Sequence, residues 1–406
     1  MSPAAERKRI PRAVTDVPSR SIAVQLPPLL QPYARSLVRW RAGCELEVLR
    51  EGEQTYPAML AAIASARREI LFEVYILVAD HTGEQFKQAL LERARAGVTV
   101  RMIYDAVGSF GLAESWLAEL RTAGVEIIDF NPIAPWRRRW NLSHRDHRKT
   151  LVVDDVVAFT GGLNISDDYA SVGEHGRGWH DMHCRVRGGA VLDLSRLFRR
   201  TWLRSGGAYY PAPAKAADAP GVGGTSYIRL IENSKRRTKG AFRRAYLHVI
   251  KQAREYVLIQ NAYFLPDLGV RRTLARAVRR GVKVSVMVPG HSDVKMIEYA
   301  SDYVLRRLAR RGVEVLHWRG PMMHAKTAVV DGVWSTIGSY NFDAQSRWHN
   351  LEATLEILDR NVGAALVAEY DGDRASCLPY NEAAWKRLPW WRKALAWLGY
   401  RLRRFL

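Results

Sequence analysis

The chain repeats one order of sequence segments in its two halves, and this repetition constrains the fold more than any other feature. The segment from Arg68 to Asp80 matches the segment from Arg254 to Asp267, because each leaves a helical stretch and enters an apolar strand. The next two predicted helices of each half end at a glycine, and a short β-branched strand follows. These glycines are Gly97 and Gly124 in the first half, and Gly281 and Gly312 in the second. Helices that alternate with apolar strands predict an α/β fold of two tandem lobes, each a mixed β-sheet flanked by helices.

A stretch rich in proline, glycine and alanine separates the two halves. It covers residues 205–226 and shows no hydrophobic periodicity, which is typical of a linker. At 406 residues the chain also exceeds what one hydrophobic core usually organises. We therefore expect a partly disordered N-terminal extension over 1–39, a first lobe over 40–204, a second lobe over 227–376 and a separate tail over 377–406.

Each half carries one copy of a histidine, lysine and aspartate pattern, which reads HRKTLVVDD in the first half and HAKTAVVDG in the second. A glycine-containing turn and an asparagine follow each copy at the same offset. The members are His147, Lys149, Asp154 and Asn164 in the first half, and His324, Lys326, Asp331 and Asn341 in the second. One such pattern is a weak signal, whereas two copies with matching downstream spacing are a strong one.

These residue types suit displacement at a phosphodiester. A neutral imidazole can attack phosphorus to form a covalent intermediate, while a second, protonated imidazole donates to the departing oxygen. A histidine and a lysine two residues apart on a strand project to the same face, so both can point into one cleft. The two lysines and the two asparagines would hold the phosphoryl oxygens and stabilise the charge that develops there. The pattern requires no metal.

Four acidic residues have supporting roles in this interpretation. Asp154 and Asp331 each open a turn after an apolar strand, so we expect them to tie the loop or the lysine rather than to react. Asp181 and Glu352 follow the two motifs on apparent strands, where an acidic residue is out of pattern. Each is a candidate to orient an imidazole through its second nitrogen. A charge on an edge strand is the alternative for both.

The charge and the cysteines limit the partners and the cofactors. A formal net charge of +21 indicates a polyanionic partner, which could be nucleic acid, an anionic membrane or a phosphorylated substrate. The cysteines, Cys44, Cys184 and Cys377, are odd in number and far apart, which predicts a reducing compartment without disulfides. His180 and His183 lie close to Cys184 but lack paired zinc-type spacing. We expect neither a metal nor another cofactor.

The two motifs resemble those of the phospholipase D superfamily, and the resemblance covers the chain from about Leu46 to Tyr380. It implies two phospholipase D-like lobes related by a pseudo-twofold axis, with one active site at their junction. It also implies a phosphohistidine on His147 and general acid catalysis by His324. The segments HRKTLVVDDVVAFTGGLNISDDY and QNAYFLPD look most like bacterial cardiolipin synthases without N-terminal transmembrane helices. Such enzymes move a phosphatidyl group from phosphatidylglycerol to a second lipid alcohol.

The C-terminal segment LPWWRKALAWLGYRLRRFL has the pattern of an amphipathic helix at a membrane interface. Its apolar stripe and its first basic residues are the predicted membrane-binding residues. They are Trp391, Arg392, Lys393, Leu395, Leu398, Leu402 and Phe405. A helix docked on the protein's own core is the alternative. A basic loop flanked by Trp136 and Trp140 also suits the headgroup zone, or equally a solvated or nucleic-acid-contacting loop.

The sequence therefore predicts a peripheral enzyme on the cytoplasmic face of an anionic phospholipid membrane, with phosphatidylglycerol as substrate. Nucleic acid is the less favoured partner, and an oligomer is not required because one chain supplies both motifs. A phospholipase D that hydrolyses phospholipids and a nucleic-acid phosphodiesterase remain alternatives. A non-catalytic membrane scaffold conflicts with two complete motifs. Deleting the tail from about Trp385 should separate lipid chemistry from nuclease chemistry.

Overall fold

The computed structural model describes residues 25–132, 143–211, 222–234 and 238–403. Several of the expectations above lie outside these ranges. They concern residues 1–24, the basic loop between Trp136 and Trp140, residues 212–221 of the linker and Phe405.

The first half begins with β1 (Arg41–Arg50) and α1 (Glu51–Ala64). It continues through β2 (Glu69–Val74), α2 (His81–Arg95), β3 (Thr99–Asp105), α3 (Glu114–Thr122), β4 (Glu126–Phe130), β5 (Thr150–Val153), β6 (Val157–Gly161), β7 (Met182–Arg187) and α4 (Gly189–Arg204). The repeat seen in the sequence corresponds to the run from β2 to β6.

The second half follows the same order of elements with one additional short helix, α8. They are β8 (Ser226–Glu232), α5 (Ala241–Gln252), β9 (Tyr256–Asn261), α6 (Leu268–Arg279), β10 (Lys283–Pro289), α7 (Lys295–Ala309), β11 (Glu314–Trp318), β12 (Lys326–Val330), β13 (Trp334–Gly338), α8 (Ala344–Trp348), β14 (Ala353–Leu358) and α9 (Arg360–Arg374). The tail adds β15 (Cys377–Pro379), α10 (Glu382–Arg387) and α11 (Trp390–Leu402).

The sheets of the two halves are joined edge to edge. In the described part of the chain the strand order is β15, β11, β10, β9, β12, β13, β14, β8, β1, β7, β6, β5, β2, β3, β4. The central pair is β1 with β8, which run antiparallel with Arg41 opposite Ile228. The sequence predicted one sheet per half. The two sheets join because the first strand of each half would otherwise leave an unpaired edge, and each edge satisfies the other.

The strand directions place both motifs at one end of the sheet. Strands β2, β3 and β4 are parallel, and β5 is antiparallel to β2, so the start of β5 lies beside the carboxyl end of β2. The second half repeats this arrangement with β9, β10, β11 and β12. We name this end of each sheet the motif edge. His147 precedes β5 and His324 precedes β12, so both histidines lie there.

A shared hydrophobic core packs the two halves together. Leu71 and Val152 of the first half belong to the same buried cluster as Val329, Ile337 and Leu355 of the second. Each half also has a cluster of its own. Strands β5, β12, β13 and β14 are buried along their whole length, as expected for strands covered on both faces, and buried helix residues such as Phe242 complete the clusters.

The C-terminal helix α11 docks on α7, but it uses a different face from the predicted apolar stripe. Ala396 and Gly399 are buried, and a Cβ at Gly399 would lie 3.2 Å from the backbone nitrogen of Ala300. The glycine therefore permits the close approach of the two helices, although glycine disfavours a helix. The stripe members Trp391, Leu398 and Leu402 remain exposed, and Leu395 is half-buried. No helix in the described ranges is long and apolar enough to cross a bilayer.

Candidate active site

His147 is held by backbone and side-chain contacts with the second half. Its backbone N–H donates to Leu351 O at 3.0 Å, and Leu351 N–H donates to Arg145 O at 2.8 Å. This short parallel bridge brings the next residue, Glu352, to the imidazole. Nδ1 of His147 lies 3.1 Å from both carboxylate oxygens of Glu352. Because Nδ1 is committed to the carboxylate, Nε2 is the nitrogen left for chemistry.

His324 has the mirror arrangement with the first half. Its backbone N–H donates to His180 O at 2.6 Å, and His180 N–H donates to Met322 O at 2.9 Å. Its Nδ1 lies 2.7 Å from Oδ2 of the next residue, Asp181. The acidic residue of each half therefore contacts the histidine of the other half. The sequence identified both acids but could not show that they cross between the halves.

The two motif lysines lie beside the histidines and are buried with them. Lys149 Nζ donates to His147 O at 2.7 Å, and Lys326 Nζ lies 2.8 Å from His324 Nδ1. Burial and the charge of Lys326 lower the pKa of Lys149 to about 7. Burial also lowers the pKa of Lys326 to about 8, against the opposing pull of Asp181. Two ammonium groups in one buried site favour an anion between them.

The two motif asparagines differ in their contacts. Asn164 Oδ1 accepts from Ile76 N–H at 3.2 Å, and its Nδ2 donates to the Tyr169 hydroxyl at 2.8 Å. Asn341 is equally buried, but its Oδ1 has no hydrogen-bond partner among the described residues. The sequence assigned both amides to the phosphoryl oxygens. The structure brings both to the motif edge, with Asn164 already engaged by Tyr169.

The turn after each motif is matched to the acid beside it. Gly162 lies against Asp181, and a Cβ at this glycine would be 2.6 Å from Asp181 Cγ and closer still to its oxygens. The equivalent residue of the second half is Ser339, whose hydroxyl donates to Glu352 Oε2. The first half therefore needs a glycine beside its aspartate, whereas the second half uses a serine to bond its glutamate.

Asp154 and Asp331 lie at the opposite end of the sheet from the histidines. The Asp154 carboxylate accepts from the backbone N–H groups of Arg67, Arg68 and Glu69 at 2.8–2.9 Å. The Asp331 carboxylate likewise accepts from three consecutive N–H groups, those of residues 254–256. Both aspartates have left-handed backbone, with φ of 55° and 52°. They tie a turn to the start of a strand and do not contact the motif lysines.

The protonation of the two histidine and acid pairs is unequal. Burial and the nearby lysines lower the pKa of both histidines, that of His324 to about 4. Burial raises the pKa of Glu352 to about 7. Burial acts in the same direction on Asp181, but Lys326 and the His324 bond overcome it and hold its pKa below the usual range. Asp181 therefore stays ionised more readily than Glu352.

Aromatic side chains that the sequence reasoning missed surround the imidazoles. The Tyr75 ring centroid lies 4.8 Å from that of His147. Tyr169, Trp179 and Tyr263 lie 5.7, 6.2 and 6.3 Å from His324. Tyr169 also places its hydroxyl 3.1 Å from His324 Nδ1. Tyr75 and Tyr263 lie just after β2 and β9, where the repeated strands end beside the motifs. These positions in the sequence could have identified both tyrosines as residues of the site.

His180, considered above as a poor metal ligand, forms a buried cluster that links the halves. Its Nδ1 lies 2.8 Å from Glu51 and its Nε2 2.8 Å from Asp373. Burial lowers its pKa, but the two carboxylates outweigh burial and raise it to about 9. His183 is buried, and both of its ring nitrogens lack hydrogen-bond partners in the described ranges. Among the described residues, no group of three or more histidine, cysteine, aspartate or glutamate side chains could hold a metal ion.

A duplicated α/β fold with two facing histidine and lysine motifs defines the phospholipase D superfamily. The family model described as "Cardiolipin synthase, PLD-like domain" matches residues 59–175 and 246–374. A cardiolipin synthase of Geobacillus kaustophilus is 32% identical over 377 residues, which cover 89% of this chain and 74% of that protein. Cardiolipin synthase B of Salmonella typhimurium is 32% identical over 374 residues, covering 89% and 88%. The chain belongs to this family of phospholipase D-type phosphatidyltransferases related to cardiolipin synthase.

A solved structure shows the same fold at low sequence identity. Phosphatidylserine synthase of Haemophilus influenzae superposes with a TM-score of 0.68 and 14% identity, covering 91% of this chain and 97% of that one. At this identity the likeness concerns the fold alone.

Proposed function

We propose that the chain synthesises cardiolipin by moving a phosphatidyl group from phosphatidylglycerol to the hydroxyl of a second phospholipid, through a phosphohistidine on His147. The observation that carries this proposal is the crossed pairing of His147 with Glu352 and of His324 with Asp181. It fixes both imidazoles by Nδ1 at one edge of the fold, beside two lysines. The curated relatives named as cardiolipin synthases support the choice of substrate.

The first half-reaction forms the covalent intermediate. Nε2 of neutral His147 attacks phosphorus, and the bond between phosphorus and the glycerol oxygen breaks. His324 gives its Nε2 proton to that oxygen, so glycerol leaves as the alcohol. Lys149 and Lys326 offset the charge on the non-bridging oxygens. An anionic phosphodiester between the lysines also weakens their repulsion of an imidazolium, so substrate raises the pKa of His324 above its value of about 4 in the free site.

The second half-reaction reverses these roles. The acceptor hydroxyl gives its proton to His324 as its oxygen attacks phosphorus. The bond between phosphorus and His147 Nε2 breaks, which returns neutral His147 and protonated His324. The partners of the two histidines support the choice of His147 as nucleophile and His324 as general acid. The ionised carboxylate of Asp181 stabilises an imidazolium on His324. Burial raises the pKa of Glu352 to about 7, and this carboxylate also accepts a hydrogen bond from the Ser339 hydroxyl. Glu352 therefore stabilises a positive charge on His147 less than Asp181 does on His324.

The exposed face of α11 is the proposed membrane anchor on the cytoplasmic face. Trp390 is 80% exposed and Trp397 50%, and both lie beside the exposed stripe members Trp391, Leu398 and Leu402. Of the two basic residues predicted to bind the membrane, Arg392 instead reaches over the Tyr299 ring at 5.7 Å. Deleting the tail from Trp385 would uncover α7, because Trp385 is buried and α11 packs on that helix. Substitution of Trp390 and Trp397 by serine therefore tests the anchor better than truncation.

The experiment that tests the function uses vesicles of labelled phosphatidylglycerol and separation of the lipid products. The chain and its His147→Ala variant are compared at equal concentration. We expect cardiolipin and glycerol from the chain and neither from the variant. Phosphatidic acid without cardiolipin would instead indicate a hydrolase that uses water as the acceptor. Unchanged lipid together with cleaved DNA would refute the membrane function.

A further inference from the structure

Large apolar side chains are exposed on the loops and helix ends that leave the motif edge in both halves. We name them the rim. They are Val78, Phe110 and Val172 in the first half, and Leu268, Val294, Met296 and Trp348 in the second. Phe110 is 81% exposed and Val172 is 70% exposed, so most of each side chain packs against no other part of the described protein. A single exposed apolar residue needs no explanation, but seven on neighbouring segments at one edge do.

The loop that carries Phe110 is hydrogen-bonded to the backbone of Tyr75, whose ring lies beside His147. The neighbouring Ser109 hydroxyl donates to Tyr75 O at 3.2 Å and accepts from Leu77 N–H at 3.0 Å. The Tyr75 ring in turn contacts His147. Phe110 therefore projects into solvent from a loop that is fixed to the active site.

Two further loops connect the rim to the histidines. The loop that carries Val172 leads to Trp179, whose ring contacts His324. The residue after Trp348 is His349, whose carbonyl lies 2.6 Å from His144 Nδ1, three residues before His147. Both halves therefore contribute apolar loops around one site.

The anchor helix α11 reaches the same loops. A cavity of about 300 Å³ is lined by His291 and Ser292 of the loop before α7 and by Arg392 of α11. This loop continues directly to Val294 and Met296 of the rim. The shared cavity places the start of α11, with its exposed tryptophans, near the motif edge.

We infer that the rim is a lipid-contacting surface that rests on the bilayer and brings the motif edge down to the phospholipid headgroups. The inference rests on the proposed function, because His147 and His324 are only 6% and 4% exposed and a lipid phosphate must reach them while its acyl chains stay in the bilayer. Loops that each present one or two apolar residues can enter the interface without a continuous apolar patch. Aromatic and basic residues together suit this zone, as where the Arg347 guanidinium lies 4.4 Å from the Trp348 ring centroid.

Basic side chains accompany the rim, but acidic neighbours moderate their charge. Arg177, Lys295 and Arg347 each contact a carboxylate, at 3.0, 3.1 and 2.7 Å respectively. The net charge of +21 still attracts the whole molecule to an anionic surface. Close contact at the rim should therefore depend more on its apolar side chains than on its charges.

The test compares two valines that differ mainly in position. Val172 belongs to the rim, whereas Val156 is 58% exposed in the turn between β5 and β6, at the opposite end of the sheet. Phe110→Ser, Val172→Ser and Val156→Ser are each made in the His147→Ala chain, so that no turnover occurs. Binding to vesicles of phosphatidylglycerol and phosphatidylcholine is measured by sedimentation. We expect Phe110→Ser to weaken binding about tenfold and Val172→Ser about fivefold, because burial of these side chains in lipid is lost. Val156→Ser should bind like its parent.

A second measurement separates failure of the rim from failure of the proposed function. With His147 restored, Phe110→Ser should lose several-fold more activity on vesicles than on detergent-dispersed phosphatidylglycerol. If all three serine variants bind vesicles as tightly as the His147→Ala chain, the inference that the rim contacts lipid is wrong. A dimer in solution that Phe110→Ser converts to a monomer would also overturn it, because a second copy would then cover the surface. If the chain with His147 intact turns over no phospholipid while the rim variants still lose binding, the proposed function fails but the lipid contact of the rim stands.

Discussion

The substitution Gly162→Ala should disable the active site through a residue that has no side chain of its own. The new Cβ would lie 2.6 Å from Asp181 Cγ, whereas carbon atoms in contact normally stand about 3.5–4.0 Å apart. The Asp181 carboxylate must therefore retreat by roughly 1 Å, and its 2.7 Å contact with His324 Nδ1 breaks or bends. A displacement of that size costs about a hundredfold in rate at an active site.

The assay is the rate of cardiolipin formation from labelled phosphatidylglycerol vesicles, measured across pH. Asp181 stabilises the imidazolium form of His324, so loss of their contact lowers the pKa of His324. The acid form is then lost at lower pH, and the alkaline fall in activity should move to lower pH in Gly162→Ala. A purely structural defect would lower the rate without moving this fall.

Two further variants control for the glycine substitution itself. Gly372→Ala adds a methyl group in α9 where nothing lies within 4 Å, so its activity should match the parent chain. Ser339→Gly removes the hydroxyl that donates to Glu352 without creating a collision, and should cost about tenfold. If Gly162→Ala keeps its activity within threefold and its pH profile is unmoved, the crossed pairing does not orient His324 as described.

Three other predictions concern the intermediate, the turns and the link between the halves. In His324→Ala, a phosphodiester with a good leaving group should still label the protein with an acid-labile phosphoryl group, and label that survives in His147→Ala would contradict the assignment. Asp331→Ala should lower the free energy of unfolding by about 3 kcal/mol, because three backbone N–H groups lose a charged acceptor, and thermal unfolding would show it. Pairing with two carboxylates raises the pKa of His180 to about 9, so protonated His180 contributes to the free energy of unfolding. This contribution, about 3 kcal/mol, should be complete below about pH 6.5 and should be lost as pH rises through 9. Unfolding of His180→Gln measured over this range should lack that component.

Local patterns in the sequence predicted the two mixed sheets and the position of the motifs, because hydrophobic alternation and C-cap glycines act within one element. The crossed pairing was beyond such reasoning. Asp181 and Glu352 stood out as acidic residues on apolar strands, but their partners come from the other half, through bridges that link residues distant in sequence. The join of β1 to β8 was missed for the same reason. These are long-range contacts that depend on how the halves pack.

The tail shows a different limit. Helical spacing predicted that Trp391, Leu398 and Leu402 share one face, and they do lie exposed together on α11. The docking face was missed because it depends on the small residues Ala396 and Gly399, which allow close approach to α7 but add little to a hydrophobic pattern. A glycine that weakens a helix in isolation can be the residue that fixes its place.

The crossed pairing has a consequence for how the two halves can evolve. Asp181 must fit Gly162 in its own half and His324 in the other, so these three positions form one unit of inheritance. Glu352, Ser339 and His147 form a second unit. A mutation that lengthens Asp181 to glutamate would press on its own half and misplace the histidine of the other. Although the halves share one order of elements, neither can change alone, and compensating changes should appear as coupled substitutions across the junction.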